Sequence, residues 1–330
     1  MRAALFRAQG LNNLNVEEVQ DPQVGPHDVL IRVQKAGVNP VDYFTVNIRS
    51  VTPMPHIPGA EFAGTVERIG DHVKGFSKGD RVIAYGRVFD GSCDMCISGR
   101  EMLCRNGGIV GIVTNGGFAE YAVLPERNFV KIPDEISWEM AASMSVSALT
   151  SYHGLLEAGL KSGETLVVFG ASGNTGQFAV QLGKIFGATV IAVSRKSWVR
   201  DLGADYVVTM DSVEEEVKKI TEGRMAEVVL DPLGEKTWGK SFSVLSAGGR
   251  WVTFGALTGG EVKLNVSVLY GRHLKLLGTT GGTRRELHDL VKMSKKLKVK
   301  VGKDYPLDQA RTAIEEVMSE RRDGRIMITP

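Results

Sequence analysis

At 330 residues the chain is too long for one ordinary hydrophobic core and predicts two domains. Apolar residues at 43% and charged residues at 24% fit a globular protein, and a net charge of +2 gives no electrostatic case for nucleic acid or an anionic membrane. No apolar run reaches the roughly 18 residues that span a bilayer, and Met1–Phe6 is too short in apolar residues for an export signal, so a cytoplasmic protein with reduced thiols is expected.

The first third predicts strands at 2–7, 14–19, 29–38, 61–69, 80–85 and 118–123. These runs alternate or carry β-branched residues, and Gly, Pro, Asn and Asp break them. Between the last two lies a loop holding all three cysteines, Cys93, Cys96 and Cys104, with Asp90 three positions ahead of the first. The spacing D-x2-C-x2-C-x7-C is that of a closed metal loop. Thiolates two residues apart on a tight turn converge on one ion, and three thiolates with one carboxylate complete a tetrahedron for zinc. Four protein ligands leave no open position, so the predicted zinc is structural. The alternative of three spare thiols fits poorly with their clustering. The oxygen ligand makes the site weaker than an all-sulfur one.

Beyond about residue 138 the rhythm changes to strand, helix, strand. Apolar runs at 165–169, 189–193, 206–208, 228–230, 251–254 and 274–277 alternate with helical patterns, the first of them at 177–186. This predicts an α/β domain with a doubly wound parallel sheet. The turn Gly170-Ala-Ser172-Gly173-Asn174-Thr175-Gly176 ends a strand and opens a helix, with Ala171 in the usual first glycine slot. Gly173 lets backbone approach a pyrophosphate, Gly176 lets helix and strand pack closely, and the helix N-terminus presents N–H groups to the phosphates. At the end of the next strand stand Ser194, Arg195 and Lys196, with no acid to accept from a ribose 2′-hydroxyl. Two cations after a hydroxyl suit a 2′-phosphate and predict NADP(H), with NAD(H) as the alternative.

The tail predicts helices at 287–296 and 307–319 and a strand at 325–328, packing back on the first domain. The lysines from Lys292 to Lys300 read as the solvated face of a helix and its exit.

The motifs Gly37-Val-Asn-Pro-Val-Asp42, Pro58-Gly-Ala-Glu-Phe-Ala-Gly64, Gly79-Asp-Arg-Val82, Gly117-Phe-Ala-Glu-Tyr121, Leu202-Gly-Ala-Asp205 and Asp231-Pro-Leu-Gly234 join the metal loop and the glycine turn. Together they resemble the medium-chain dehydrogenase/reductase superfamily from end to end. The resemblance implies a GroES-like β-barrel catalytic domain (1–147 and 279–330), a Rossmann cofactor domain (148–278) and an active cleft between them. Zinc alcohol dehydrogenases of that superfamily hold a second, catalytic zinc. Its ligand slots correspond here to Asn39, Ala60 and Val146, the proton-relay hydroxyl to Val41, and Glu61 alone cannot hold the ion.

The pattern is similar to the quinone oxidoreductase branch, which reduces quinones or α,β-unsaturated carbonyls without a catalytic metal. That likeness implies Asn39 as an amide donor to the substrate oxygen, Asp42 as an orienting group and Tyr43 as the proton donor. Further cofactor contacts implied are Thr150, Asp231, Pro232, Phe254, Gly255, Ala256, Thr279, Thr280 and Arg325. Relatives form homodimers or homotetramers through their cofactor sheets, and the alternation at 262–270 is the candidate interface strand or its flank. An alcohol dehydrogenase and a catalytically silent NADPH-binding protein stay open as alternatives. The stretch 194–203 is about one helical turn shorter than in many relatives.

Overall fold

A computed structural model of the chain describes residues 1–330. It divides into two units, Met1–Leu149 with Thr283–Pro330, and Thr150–Gly282. The tail therefore rejoins the first unit.

The first unit is built on a seven-stranded sheet. Its order is Val301–Pro306, Arg325–Thr329, Asp28–Gly37, Glu61–Ile69, Arg81–Ala84 and Phe129–Lys131, with Tyr121–Pro125 also paired to Asp28–Gly37. All pairs are antiparallel except Val301–Pro306 with Arg325–Thr329. Val29, Ile31, Val33, Phe62, Val66, Val82, Phe129, Ile326 and Ile328 fill its core, with Ala310, Ala313 and Ile314 from the helix Ala310–Glu316.

Register decides what meets at the end of the long strand Asp28–Gly37. Gly37 pairs with Glu61 on one side and Met327 on the other, so the strand carrying Glu61 and the strand carrying Arg325 flank one glycine. A Cβ on Gly37 would stand 1.9 Å from Arg325 Nη2 and 2.4 Å from the Ala142 carbonyl. Only glycine leaves that space open.

The second unit is a six-stranded, wholly parallel sheet. Its spatial order is Tyr206–Val208, Thr189–Val193, Thr165–Phe169, Ala226–Leu230, Leu245–Thr253 and Lys275–Gly278. Counted within the unit this is 3-2-1-4-5-6, the order of a dinucleotide-binding sheet. Leu166 to Phe169 are all buried, as a strand covered on both faces requires.

Two segments depart from expectation. Val301–Pro306 is an edge strand with mostly exposed residues, so it has no buried face and no alternation to betray it. The stretch 262–270 alternates like a strand, yet Val266–Gly271 is a helix. The Asn265 side chain accepts the Val268 N–H at 3.2 Å and starts it, a local cap overriding the period of two.

Candidate functional site

In the first unit the catalytic candidates gather around Glu61. The helix Pro40–Asn47 opens at Asn39, with Pro40 supplying a pre-set φ at its first turn. Asp42 reaches back to accept the Asn39 N–H at 2.7 Å, and its other oxygen accepts the Ala60 N–H at 3.0 Å. Its carboxyl thus ties the helix to the segment preceding Glu61.

Burial pushes the Asp42 carboxyl up to about 7, against the two N–H bonds that favour its charge and with the Glu61 charge adding to the rise. An acid raised in the folded state binds protons there that the unfolded chain has released. Its stabilising contribution is therefore full below about pH 4 and is lost as pH rises towards 7. Melting followed from pH 4.5 to 8 is expected to show this downward contribution, and Asp42→Asn is expected to remove it. An unchanged profile in the variant would place the titration elsewhere.

Glu61 is fully buried and accepts from five groups. Oε1 takes the Val146 and Ser147 N–H groups, both at 2.8 Å. Oε2 takes Asn39 Nδ2 at 2.9 Å, the Ser147 hydroxyl at 2.9 Å and Arg325 Nη2 at 2.7 Å. The two backbone donors come from a π turn, Met144–Ala148, where Ala148 N–H bonds back to Ser143 carbonyl at 3.0 Å. Helix N-termini leave such N–H groups without intrahelical partners, and a carboxylate satisfies them. Arg325 is itself fully buried and also donates to the Ser147 hydroxyl.

This geometry corrects two expectations. Asn39 is not poised to donate to a substrate, because its amide nitrogen donates to Glu61 and, at 3.3 Å, to the Gly37 carbonyl. Arg325 is not a cofactor contact, because its guanidinium is committed inside the first unit to Glu61. The pattern also fails a catalytic zinc. Such a site takes three protein ligands and one open position. Asn39, Ala60 and Val146 offer no thiolate or imidazole, and the two carboxyls nearby are engaged, Glu61 by five donors and Asp42 by the Asn39 and Ala60 N–H groups. Tyr43 lies half-buried, edge-on to Phe44 with ring centroids 5.8 Å apart, at the margin of the core.

The metal loop brings together what its spacing predicts. Gly91 and Gly99 take left-handed φ values of 78° and 72°, turns that only glycine makes freely. Cys93 Sγ lies 3.6 Å from Cys96 Sγ and 3.8 Å from Cys104 Sγ. Tetrahedral zinc with bonds of about 2.3 Å sets its sulfurs about 3.8 Å apart. All four ligand atoms, Asp90 included, lie within 4.8 Å of one another. Asp90 Oδ1 accepts the Cys93 N–H at 3.0 Å and the Ser92 N–H at 2.8 Å, and Oδ2 accepts Asn106 Nδ2 at 2.6 Å. These bonds, the Cys93 one foremost, hold the carboxyl below the usual carboxylate range, ionised and ready as a ligand. The donor set fits a structural zinc.

In the second unit, Ser172, Gly173, Asn174, Thr175 and Gly176 form the turn between the strand Thr165–Phe169 and the helix Gly176–Ile185. Gly170, at φ 63°, makes the tight bend one residue before the slot taken by Ala171, and Gly173 N–H closes it on the Gly170 carbonyl at 2.8 Å. A Cβ on Gly176 would stand 2.2 Å from the Gly170 carbonyl oxygen, so helix and strand touch through bare backbone.

Ser194, Arg195 and Lys196 follow the next strand, and the Ser194 hydroxyl accepts the Lys196 N–H at 3.0 Å. A short 3-10 segment, Ser197–Leu202, comes next. Phe254, Gly255, Ala256, Thr279 and Thr280 lie past the carboxyl ends of their strands, the edge at which such sheets bind ligands. Pro232 lies past the strand Ala226–Leu230 at the same edge, and Thr150 sits buried on the helix Leu149–Glu157. Asp231 departs from expectation: its buried carboxyl takes the Thr237 hydroxyl at 2.8 Å and the Leu233 N–H at 2.9 Å, and burial raises its pKa. Its side chain fixes the turn.

Sequence reasoning missed Ser147, which joins Asn39, Glu61 and Arg325. The only available signal was the serine spacing of Ser143, Ser145 and Ser147 ahead of an apolar helix.

Comparison with known proteins agrees with this anatomy. The family model for the alcohol dehydrogenase GroES-like domain matches residues 25–134, and that for zinc-binding dehydrogenase matches 175–296. The NAD-dependent alcohol dehydrogenase of Sulfolobus acidocaldarius is 32% identical over 340 residues, covering 98% of each chain. The acryloyl-coenzyme A reductase of Sulfurisphaera tokodaii is 30% identical over 325 residues, covering 96% of each. The cobalt- and zinc-bound thermostable alcohol dehydrogenase of Pyrobaculum aerophilum superposes with a TM-score of 0.94 at 43% identity, covering 100% of this chain and 99% of that one. This chain thus belongs to the medium-chain dehydrogenase/reductase superfamily of zinc-type alcohol dehydrogenases and their reductase relatives, and is a nicotinamide-dependent oxidoreductase of small organic substrates.

Proposed function

We propose that this oxidoreductase uses NADPH to reduce an activated double bond or a quinone, without a catalytic zinc. The observation that carries the reading is the saturation of Glu61. With five donors on its oxygens and Asn39, Ala60 and Val146 beside it, the surroundings of Glu61 lack the ligands that would hold a Lewis-acidic metal there. Without one, an alcohol is a poor hydride donor because its pKa stays high. An electron-poor carbon needs no metal, only a hydrogen-bond donor for the oxygen that gains charge.

A bound nicotinamide supplies the hydride. The turn at Ser172–Gly176 holds its pyrophosphate on helix N–H groups, and Arg195 and Lys196 take the 2′-phosphate. Tyr43 is the residue proposed to return the proton. The metal loop holds one zinc that does no chemistry and fixes the fold of its lobe. The protein is proposed to be cytoplasmic and to form dimers or tetramers. No helix is long and apolar enough to cross a membrane. The exposed edge strand Lys275–Gly278, with Val266 and Tyr270 exposed on the preceding helix, supports assembly.

NADPH oxidation against a panel of quinones, enals and enoyl thioesters tests the reading, and activity on at least one class is expected. The kcat/KM with NADPH is expected to exceed that with NADH. Replacing Arg195 and Lys196 by alanine is expected to lower the NADPH value about 100-fold or more, the scale of two charge-assisted bonds. Metal analysis is expected to return about one zinc per chain, and Cys93→Ser is expected to lose it and lower the melting temperature.

The second reading, alcohol dehydrogenation, is favoured by the names of the full-length relatives. Turnover of alcohols with a second zinc per chain would establish it in place of the first.

A further inference from the structure

The π turn Met144–Ala148 and the helix entry before it carry three serines within five residues, and only one has an idle hydroxyl. Ser143 Oγ donates to the Glu139 carbonyl at 2.7 Å. Ser147 Oγ bridges Asn39, Glu61 and Arg325. Ser145 is 3% exposed, and its buried Oγ has no hydrogen-bond partner. A buried hydroxyl left unpaired costs about 1–3 kcal/mol, and binding of a ligand or water is one way in which such a group is satisfied. π turns themselves concentrate at functional sites, because their wider loop costs helix stability.

Position supports the same conclusion. Gly86 packs against the carbonyls of Ala60 and Ser145 and the side chain of Val146, at 3.2, 3.7 and 3.1 Å from where its Cβ would stand. The Ser145 backbone and Ala60 thus face the same glycine, and Ser145 is the chain neighbour of Val146. The amide of Asn39, the donor expected from sequence, is consumed by Glu61 and Gly37. A group able to meet a developing oxyanion is still required by the chemistry.

We propose that the Ser145 hydroxyl is that group: a substrate-contacting hydrogen-bond donor for the carbonyl oxygen of the bound acceptor. The identity of that oxygen rests on the reductase reading. The hydroxyl donates a hydrogen bond and keeps its proton, so the step requires no further reactant.

Ser145→Ala tests this through two readouts that a structural role would couple. Melting of the ligand-free variant is expected to stay level or rise, since an unpaired polar atom is removed. The kcat/KM for the acceptor is expected to fall about 10- to 100-fold, the scale of one oxyanion donor or somewhat less, with the NADPH dissociation constant unchanged. Ser145→Thr, which keeps the hydroxyl, is expected to retain more activity than the alanine variant. Joint loss of melting temperature and activity, or full activity in Ser145→Ala, would overturn the assignment. The assay uses whichever carbonyl compound the wild type turns over. A wild type active only on ketones and alcohols sinks the reductase reading, while the Ser145→Ala ratio on a ketone still judges the hydroxyl. A wild type inert towards every carbonyl compound overturns both.

Discussion

Arg325→Met is expected to destabilise the protein by about 3–5 kcal/mol, read as a lower urea midpoint with the slope unchanged. Arg325 and Glu61 are both fully buried and pair at 2.7 Å. Removing the cation leaves a buried carboxylate whose remaining partners are two N–H groups, an amide and a hydroxyl. Those bonds cannot replace a countercharge in a low-dielectric interior. The reverse truncation, Glu61→Gln, strands the guanidinium instead. The double variant Glu61→Gln with Arg325→Met removes both charges and is expected to be more stable than the Arg325 single variant, with a coupling above about 1 kcal/mol. Strict additivity would show that the two groups do not act as a pair. Gly37→Ala is expected to behave like the Arg325 variant, since its methyl group would occupy the space of the guanidinium.

Gly176→Ala is the second large effect. The added methyl would stand 2.2 Å from the Gly170 carbonyl oxygen and 2.7 Å from Ala171 Cα. Both neighbours are backbone of the nucleotide turn and cannot rotate away, so the helix must back off the strand that it abuts. Overpacking of this kind costs about 1–3 kcal/mol, and the turn that moves is the one that would hold the pyrophosphate. NADPH is expected to bind about 10- to 100-fold more weakly by calorimetry, while the metal content of the first unit stays at wild-type level. Gly239 supplies the control. It lies in the helix Glu235–Ser243 with nothing near its missing Cβ, so Gly239→Ala is expected to be neutral or to stabilise by up to about 1 kcal/mol. Unchanged NADPH affinity in Gly176→Ala would remove the turn from the cofactor site.

The parts of this molecule visible in its sequence are the parts built from near neighbours. The metal loop is legible because its four ligands lie between residues 90 and 104, so spacing alone fixes their geometry. The strands Glu61–Ile69, Thr165–Phe169, Thr189–Val193 and Tyr206–Val208 carry their predicted bounds because burial writes an apolar run or β-branched residues into each. The edge strand Val301–Pro306 is exposed and leaves no such mark. The network at Glu61 is hidden for a different reason. Arg325 is 264 residues away, Ser147 is 86, and no local pattern of apolar or turn residues encodes which distant donor a carboxylate will find. Resemblance singled out Asn39 and Arg325 for substrate and cofactor, but both are taken by this carboxylate, which holds the amide of one and the guanidinium of the other.

That separation has a consequence for how the chain is made. Glu61 emerges from the ribosome early, and its cation follows only after the entire second unit has been translated. The inserted unit can close its own sheet from residues 150–282, whereas the first must wait for the countercharge at its centre. The first lobe therefore reaches its full complement of buried charges only when the last strand, Arg325–Thr329, has been made.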